Sequence, residues 1–471
     1  MHDQRSQTVL QQYDWASRYL EGLIQGPPSP PPDATPEEIR ARAIARKQRL
    51  RAFLRFIGDP HLSYRCLHVA GTSGKGSTSA FLASILSRHG FRTGLHVSPY
   101  LQVETEKLQI DDKLLSAQSF AGYVEALDKE VRRWTDAGNH ALTYGEFWVA
   151  LTFLCFQREN CDFAVVETGA GGRFDLTNVV QPDVSVITSV GLDHVRTLGE
   201  TIPEIAWHKA GIIKQNTPAV TTVEDPAALE VIRQEAIEMN APLVELRANR
   251  DYQWEWRDGD AGYLTMSGLS RPVRLPLPGR FQASNAAAAV AATQLLQHES
   301  RPLISVSAAE AGIEQTRFPG RLEIPQTRPQ VVLDGAHNPE KVTALVESLK
   351  LYSNEGRRIL VLGSLGGHDF LNVARIVVPE ADEIIVTAPS AVERPSAPVN
   401  EIVRTIEDAG VPYQVVLDPS EAIRVALDTA SLEDQIVVTG SLYLVGTVRE
   451  HWYPKGAILE QRTPFPEAGR Q

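Results

Sequence analysis

Residues 65–78 read Arg-Cys-Leu-His-Val-Ala-Gly-Thr-Ser-Gly-Lys-Gly-Ser-Thr, and their order decides the fold. Cys66 to Ala70 is a short, mostly apolar run of strand length. The turn Gly71, Thr72, Ser73, Gly74, Lys75, Gly76, Ser77, Thr78 follows at once, and a helical pattern runs from Ala80 to Leu86. A strand that turns through glycines into a helix N-terminus is built for phosphate. Glycines let backbone N–H groups approach the oxygens, the helix dipole adds positive potential, Lys75 brings a mobile cation, and Ser77 can reach a magnesium ion. The loop is a variant, because Gly76 stands between Lys75 and the hydroxyl and the first glycine lies too close for the strict G-x-x-x-x-G-K-[ST] pattern.

Outward from this loop, β-branched runs alternate with longer helical segments. CLHVA, GLHVS, FAVVE, VSVITSV and PAVTTV form one series; QVVLDGA, RILVLGS, EIIVTA and QIVVTGS form a second after Arg317. This is how a parallel α/β sheet reads. The expected fold is α/β, with a P-loop-type, mostly parallel ATPase domain (residues 1–316), a smaller Rossmann-like domain (317–455) and a tail (456–471). Tyr252 to Leu277, polar and aromatic, reads as a β excursion at the edge of the first unit. Ahead of the loop, Tyr13 to Leu23 reads as a helix and GPPSPPPDATPEE as a stiff Pro-rich loop. Thr35, with Pro36, Glu37 and Glu38 behind it, starts a basic helix that runs to about Ile57 and is expected to present a solvated face.

Composition limits the function. With 471 residues, 43% of them hydrophobic, the chain can bury more than one core. A formal net charge of −12 disfavours nucleic acid and membrane surfaces as partners, so any anion site is local. Cys66, Cys155 and Cys161 have no ligand spacing and read as buried thiols. The first residues, MHDQRSQTVLQQYDW, do not read as a secretory signal, and the longest apolar run, Phe147 to Phe156, is short of the roughly 20 residues a membrane helix needs. A cytoplasmic location and a monomer are the expectations.

Chemistry gathers at strand ends. FAVVE ends in Glu167, followed by Gly169, Gly171, Gly172 and Arg173; VSVITSV leads to Asp193 and His194; GLHVS ends at Ser98. Ligands of open α/β sheets bind at that edge, and oxygen and nitrogen donors there suit magnesium shared with nucleotide phosphates. Lys209, in the last turn before Gly211, reads by itself only as a partner for the helix dipole.

With these residues in view, the chain resembles the folylpolyglutamate synthase and dihydrofolate synthase family of the Mur ligase superfamily. HVAGTSGKGST, SPYL, VVETGAGGRFDLTN, SVGLDHVRTLGETIPEIAWHKAGIIK, GRFQASNAAAA, FPGRLE, LDGAHNP and VVTGSLYLVG fall in the family's order. The resemblance implies a ligase that uses ATP to join L-glutamate to a folate or to dihydropteroate through an acyl phosphate. It implies catalytic roles for Lys75, Glu167, His194 and Lys209, with Lys209 carbamylated. Gly71 to Thr78, Asn285, Arg321 and Asp334 would hold nucleotide. One or two magnesium ions would sit on Ser77, Ser98, Glu167 and His194. Tyr100, Gly171, Arg173, Asp175, His337 and Asn338 would face the other substrates.

Four positions depart from the family pattern: Ser73, Tyr100, His208 and the Gly367-His368-Asp369 run. Tyr100 and Glu104 to Ile110 lie where the pterin-side loop belongs, so acceptor preference is the property they put in question. Two rivals stand beside this reading. A peptidoglycan Mur ligase would carry a UDP-binding domain ahead of the loop, where only 70 residues precede Gly71. A P-loop switch protein would need the loop but not Glu167, His194, Lys209 and LDGAHNP together.

Overall fold

A computed structural model describes residues 2–24, 34–257, 261–298, 301–352, 356–366, 369–389 and 394–467. Most of the Pro-rich stretch, and Gly367 and His368, lie outside them. The first sheet holds strands β1 (Arg65–Ala70), β2 (Thr93–His96), β3 (Leu108–Ile110), β4 (Lys113–Leu114), β5 (Phe163–Glu167), β6 (Val184–Ile187), β7 (Ala219–Thr221) and β8 (Leu243–Glu245). Their order is β4-β3-β2-β5-β1-β6-β7-β8, parallel except where β3 and β4 return beside β2. β1, β2, β5, β6 and β7 are buried on both faces, which is why they read as unbroken apolar runs instead of alternating ones.

The Tyr252 to Leu277 stretch forms its own antiparallel sheet of β9 (Tyr252–Arg257), β10 (Ala261–Met266) and β11 (Val273–Leu275). It packs on the alanine-rich helix Arg280–Gln294 rather than extending the first sheet. After a short ladder, β12 (Gln297–His298) with β13 (Arg301–Pro302), comes the second unit. Its strands are β14 (Glu323–Thr327), β15 (Gln330–Leu333), β16 (Arg358–Leu362), β17 (Glu383–Val386), β18 (Tyr413–Val415) and β19 (Gln435–Thr439). They lie in the order β14-β15-β19-β16-β17-β18, with only β14 antiparallel. The expected α/β architecture of two mostly parallel sheets is what the chain adopts.

Two segments differ from the sequence reading. The helix Pro36–Phe56 starts as expected, with Thr35 and Glu38 capping each other reciprocally, and buries Leu50, Phe53 and Leu54. Its opposite face is not simply solvated: Ile39, Arg40, Ala43 and Arg46 line a cleft. The residues after 455 do more than trail away. Helix Lys455–Gln461 buries Ile458 and Leu459 in the core of the first unit, and Leu114 and Arg462 hydrogen-bond to each other's carbonyls. Arg449, fully buried, donates to Glu323 (2.9 Å) and to the Pro464 carbonyl, and pairs with Gln102 next to the SPYL segment, so the units meet at a fixed seam. Among the described residues no helix is long and apolar enough to cross a membrane.

Candidate active site

β1 delivers Gly71 to Gly74 to the start of helix Lys75–His89, where the first-turn N–H groups have no helical partner and face outward. The loop is stitched to the end of β6. Ser73 N–H donates to Ser189 Oγ (2.8 Å), Thr72 N–H to the Ser189 carbonyl (2.9 Å), and Thr188 Oγ1 to the Ser73 carbonyl (2.6 Å). Gly74 sits at φ +83°, and a Cβ there would stand 2.2 Å from Asn285 Oδ1. Gly76, the residue that breaks the strict pattern, has a packing reason: its Cβ would meet the Phe318 ring at 2.9 Å. The two loop glycines thus let Asn285, from helix Arg280–Gln294, and Phe318, from the seam, approach the loop.

Lys75 folds back, its Nζ donating to the Gly71 carbonyl at 3.0 Å and lying 4.0 Å from Glu167 Oε1. Glu167, at the end of β5, is 4% exposed and accepts the Ser98 N–H on Oε2 (3.0 Å). Burial raises its pKa, with Lys75 working in the opposite direction. Ser77 and Thr78 are buried one turn along the helix, the Thr78 hydroxyl without a partner among the described residues.

Asp193 and His194 form the next wall. His194 adopts a left-handed backbone (φ 51°), and its ring is half exposed. Desolvation lowers its pKa against the opposing pull of Asp193, and Lys75, Lys209 and Lys341 push it down as well. Lys209, 2% exposed at the end of helix Ile202–Ala210, has no ion-pair or hydrogen-bond partner for its amine among the described residues. Burial first, then the nearby positive charge of Lys75, brings its pKa down to about 7. The dipole reading fails to account for this, since a dipole partner would be solvated.

The second unit closes the site. Lys341 Nζ lies 3.9 Å from Asp193 Oδ2 and donates to His337 Nε2 (3.1 Å), whose Nδ1–H donates to the Gly335 carbonyl (2.8 Å). Asn338 caps the helix Pro339–Leu349 through its Oδ1 and leaves a buried Nδ2 unpartnered among the described residues. Asp334, at the end of β15, accepts from Leu322 N–H and Ala336 N–H, both at 2.9 Å. Arg321 is half-buried, with the charges of Asp334 and Glu167 both acting on its guanidinium. Residues from both sheets therefore converge on one seam. Lys341 carried no signal in the sequence, because its partner Asp193 lies far back along the chain.

Beside this seam runs an open cleft of about 1170 Å³. Tyr144, Trp148, Phe174 and Trp207 give it aromatic walls, while Ser98, Gly169 and Asp175 lie where it nears Glu167. Asp175 accepts from Gly169 N–H (3.0 Å) and Thr177 N–H (2.9 Å), and Gly171 turns the chain at φ 77°. Arg173 does not face the cleft. Its guanidinium pairs with Glu235, stacks 4.2 Å over Trp207 and donates to the Trp207 carbonyl, while its N–H donates to the His208 carbonyl. Its work is to finish the helix that carries Lys209. Tyr100 is half-buried near Glu104, Tyr144 and Tyr443, off the lining of the cleft.

Comparison with known proteins extends this picture. Residues 69–293 match the Mur ligase middle domain, and residues 320–442 match the Mur ligase glutamate ligase domain. A dihydrofolate synthase/folylpolyglutamate synthase of Bacillus subtilis is 34% identical over 408 residues, covering 85% of this chain and 94% of that protein. The folylpolyglutamate synthase of Mycobacterium tuberculosis complexed with ADP superposes with a TM-score of 0.81 at 27% identity, covering 94% of this chain and 99% of that one. The Escherichia coli FolC complex with DHPP and ADP gives a TM-score of 0.76 at 27% identity, over 93% and 97%. The glycine loop, the acidic strand end, the buried lysine and the second-unit lysine gathered at one seam all lie within these matched stretches: the chain belongs to the dihydrofolate synthase/folylpolyglutamate synthase family of Mur ligases.

Proposed function

We propose that this chain is an ATP-dependent ligase that forms an amide between L-glutamate and the carboxyl group of dihydropteroate, of a reduced folate, or of both, releasing ADP and phosphate. The observation that carries the reading is the convergence at the seam: Lys75 4.0 Å from Glu167 on the first unit faces Lys341 3.9 Å from Asp193 reaching across from the second.

The loop amides from Gly71 to Thr78 and Lys75 hold the triphosphate, with Asn285, Arg321 and Asp334 about the rest of the nucleotide. A carboxylate is a poor electrophile. Its oxygen attacks the γ-phosphorus, the bond to the β-phosphate oxygen breaks, and ADP leaves; Lys75 and the loop amides neutralise the charge of that transfer. The glutamate amine then attacks the acyl phosphate carbon, phosphate departs, and the amine proton passes to solvent. Closure of two units around the seam keeps water from the activated carboxyl. Asp175 and the aromatic cleft, with Gly171 turning the loop beneath them, take the acceptor, and His337 and Asn338 face the glutamate side.

Ser77, Ser98, Glu167 and His194 form a donor set that fits one or two magnesium ions, few enough to leave room for water and phosphate oxygens. Bound there, magnesium would supply charge neutralisation on the phosphoryl oxygens. Among the described residues no cluster of three or more His, Cys, Asp or Glu could hold a metal, so nucleotide oxygens would have to complete the shell. Lys209 meets the requirement for carbamylation, because an unprotonated buried amine is the form that adds CO2. The carbamate would put a carboxylate-like group beside the positive charges of Lys75 and Lys341, both of which act on the Lys209 amine.

The test is phosphate release by the purified chain with ATP, magnesium and L-glutamate, with dihydropteroate and tetrahydrofolate in separate reactions. Release that needs both glutamate and at least one acceptor, with the amide recovered, is the expected result. Release with neither overturns it.

A further inference from the structure

One charged group of the cleft is used by nothing described above. Lys107 ends the short helix Glu104–Lys107 and leads into β3, and its carbonyl accepts from Val97 N–H (3.4 Å), so its backbone runs beside Ser98. Its side chain lines the cleft at 8% exposure. The ammonium stands 3.7 Å over the face of Trp148 and 5.7 Å from the Tyr144 ring. It makes no hydrogen bond or ion pair among the described residues, although Glu104 is near enough to act on it electrostatically. The other cations along the cleft are spoken for or at its mouth: Arg40 lies over Phe174 and Trp207, Arg46 donates to Thr143, and Arg42 and Arg196 are exposed.

A buried ammonium held only by aromatic faces is an incomplete site. Removing it from water is costly, and an anion in direct contact is what offsets that cost. Burial brings its pKa down to about 7 against the opposing pull of Glu104, so an entering anion would also restore its charge. The anion must be able to lie along an aromatic wall and point towards Ser98, whose N–H is on Glu167. An aryl-linked carboxylate has that shape.

We propose that Lys107 is a specificity residue that binds a carboxylate of the acceptor in the cleft, orienting the acceptor's acidic end towards the phosphate loop. This rests on the reading of the acceptor as a pteroate or folate. The carboxylate can be the benzoate of a pteroate or the glutamyl α-carboxylate of a folate; both present the same group on the same aromatic stem.

The experiment compares acids with their neutral amides. Binding of pteroate and of its carboxamide to the full chain with ADP is measured by calorimetry for the wild type, Lys107→Met and Lys107→Arg; a second arm uses folate and folate amidated at its α-carboxyl. The wild type should prefer the acid over the amide at least tenfold in one arm, which identifies the carboxylate. Lys107→Met, which keeps the bulk over Trp148, should bring that ratio to about one while binding ADP within twofold of wild type, and Lys107→Arg should retain most of it. A ratio unchanged in Lys107→Met overturns the assignment. Wild type that binds none of the four ligands overturns the acceptor reading itself, and a Lys107→Met chain that loses ADP shows a folding role instead.

Discussion

Lys209 shows how much can hang on one amine. A lysine 2% exposed, without a partner among the described residues and titrating near 7 instead of 10.5, is half unprotonated at neutral pH. Because the folded value is lowered, the reactive free base grows as pH rises through about 7 and is lost below it. Activity measured at fixed dissolved CO2 should therefore climb across that interval, and CO2-free buffer should lower it reversibly. Lys209→Ala should cut turnover by roughly two to three orders of magnitude, the scale of losing a major electrostatic group in a site, while ADP affinity by calorimetry stays within a fewfold; near-normal turnover contradicts the role. From sequence, nothing local sets Lys209 apart from a dipole lysine, and only its place in a long run of matching motifs singles it out. Glu167, by contrast, is legible from its strand, because an acid that ends an apolar run must emerge at the sheet edge. Lys107 and Lys341 are silent in sequence, since their surroundings come from Trp148 and Asp193 far along the chain.

At the scale of elements, the proposed phosphate cradle depends on backbone that only glycine fits. Gly74→Ala places a side chain at φ +83° and within 2.2 Å of Asn285 Oδ1. The left-handed conformation costs about 1–2 kcal/mol, and the loop must also shift, so ATP affinity should fall by roughly tenfold or more. Pteroate binding in the cleft should change little; equal loss of both ligands would show that the loop is not a separate element. Strand–loop–helix order is local information, which is why the cradle and the parallel strands are legible in the sequence alone. The helix Pro36–Phe56 is harder. Its arginines resemble a solvated face, and only the fold turns Arg40 and Arg46 towards aromatic rings and the cleft. Arg173 misleads in the opposite sense: a conspicuous basic residue in a glycine loop spends its charge on Glu235 and the end of the Lys209 helix.

For the whole molecule, the proposed chemistry lies at the seam between two sheets, each of which resembles a complete α/β unit by itself. Arg449 and the returning helix Lys455–Gln461 hold the units together away from the site, while Asp193 and Lys341 meet across it. The central claim is that this seam activates an acceptor carboxyl by phosphorylation before the glutamate amine attacks. The most direct measurement follows oxygen: the acceptor carboxyl is labelled with oxygen-18 and the released phosphate is analysed by mass spectrometry in the presence of ATP and L-glutamate. One labelled oxygen should appear in phosphate for each amide formed. Amide formation with unlabelled phosphate would contradict the account.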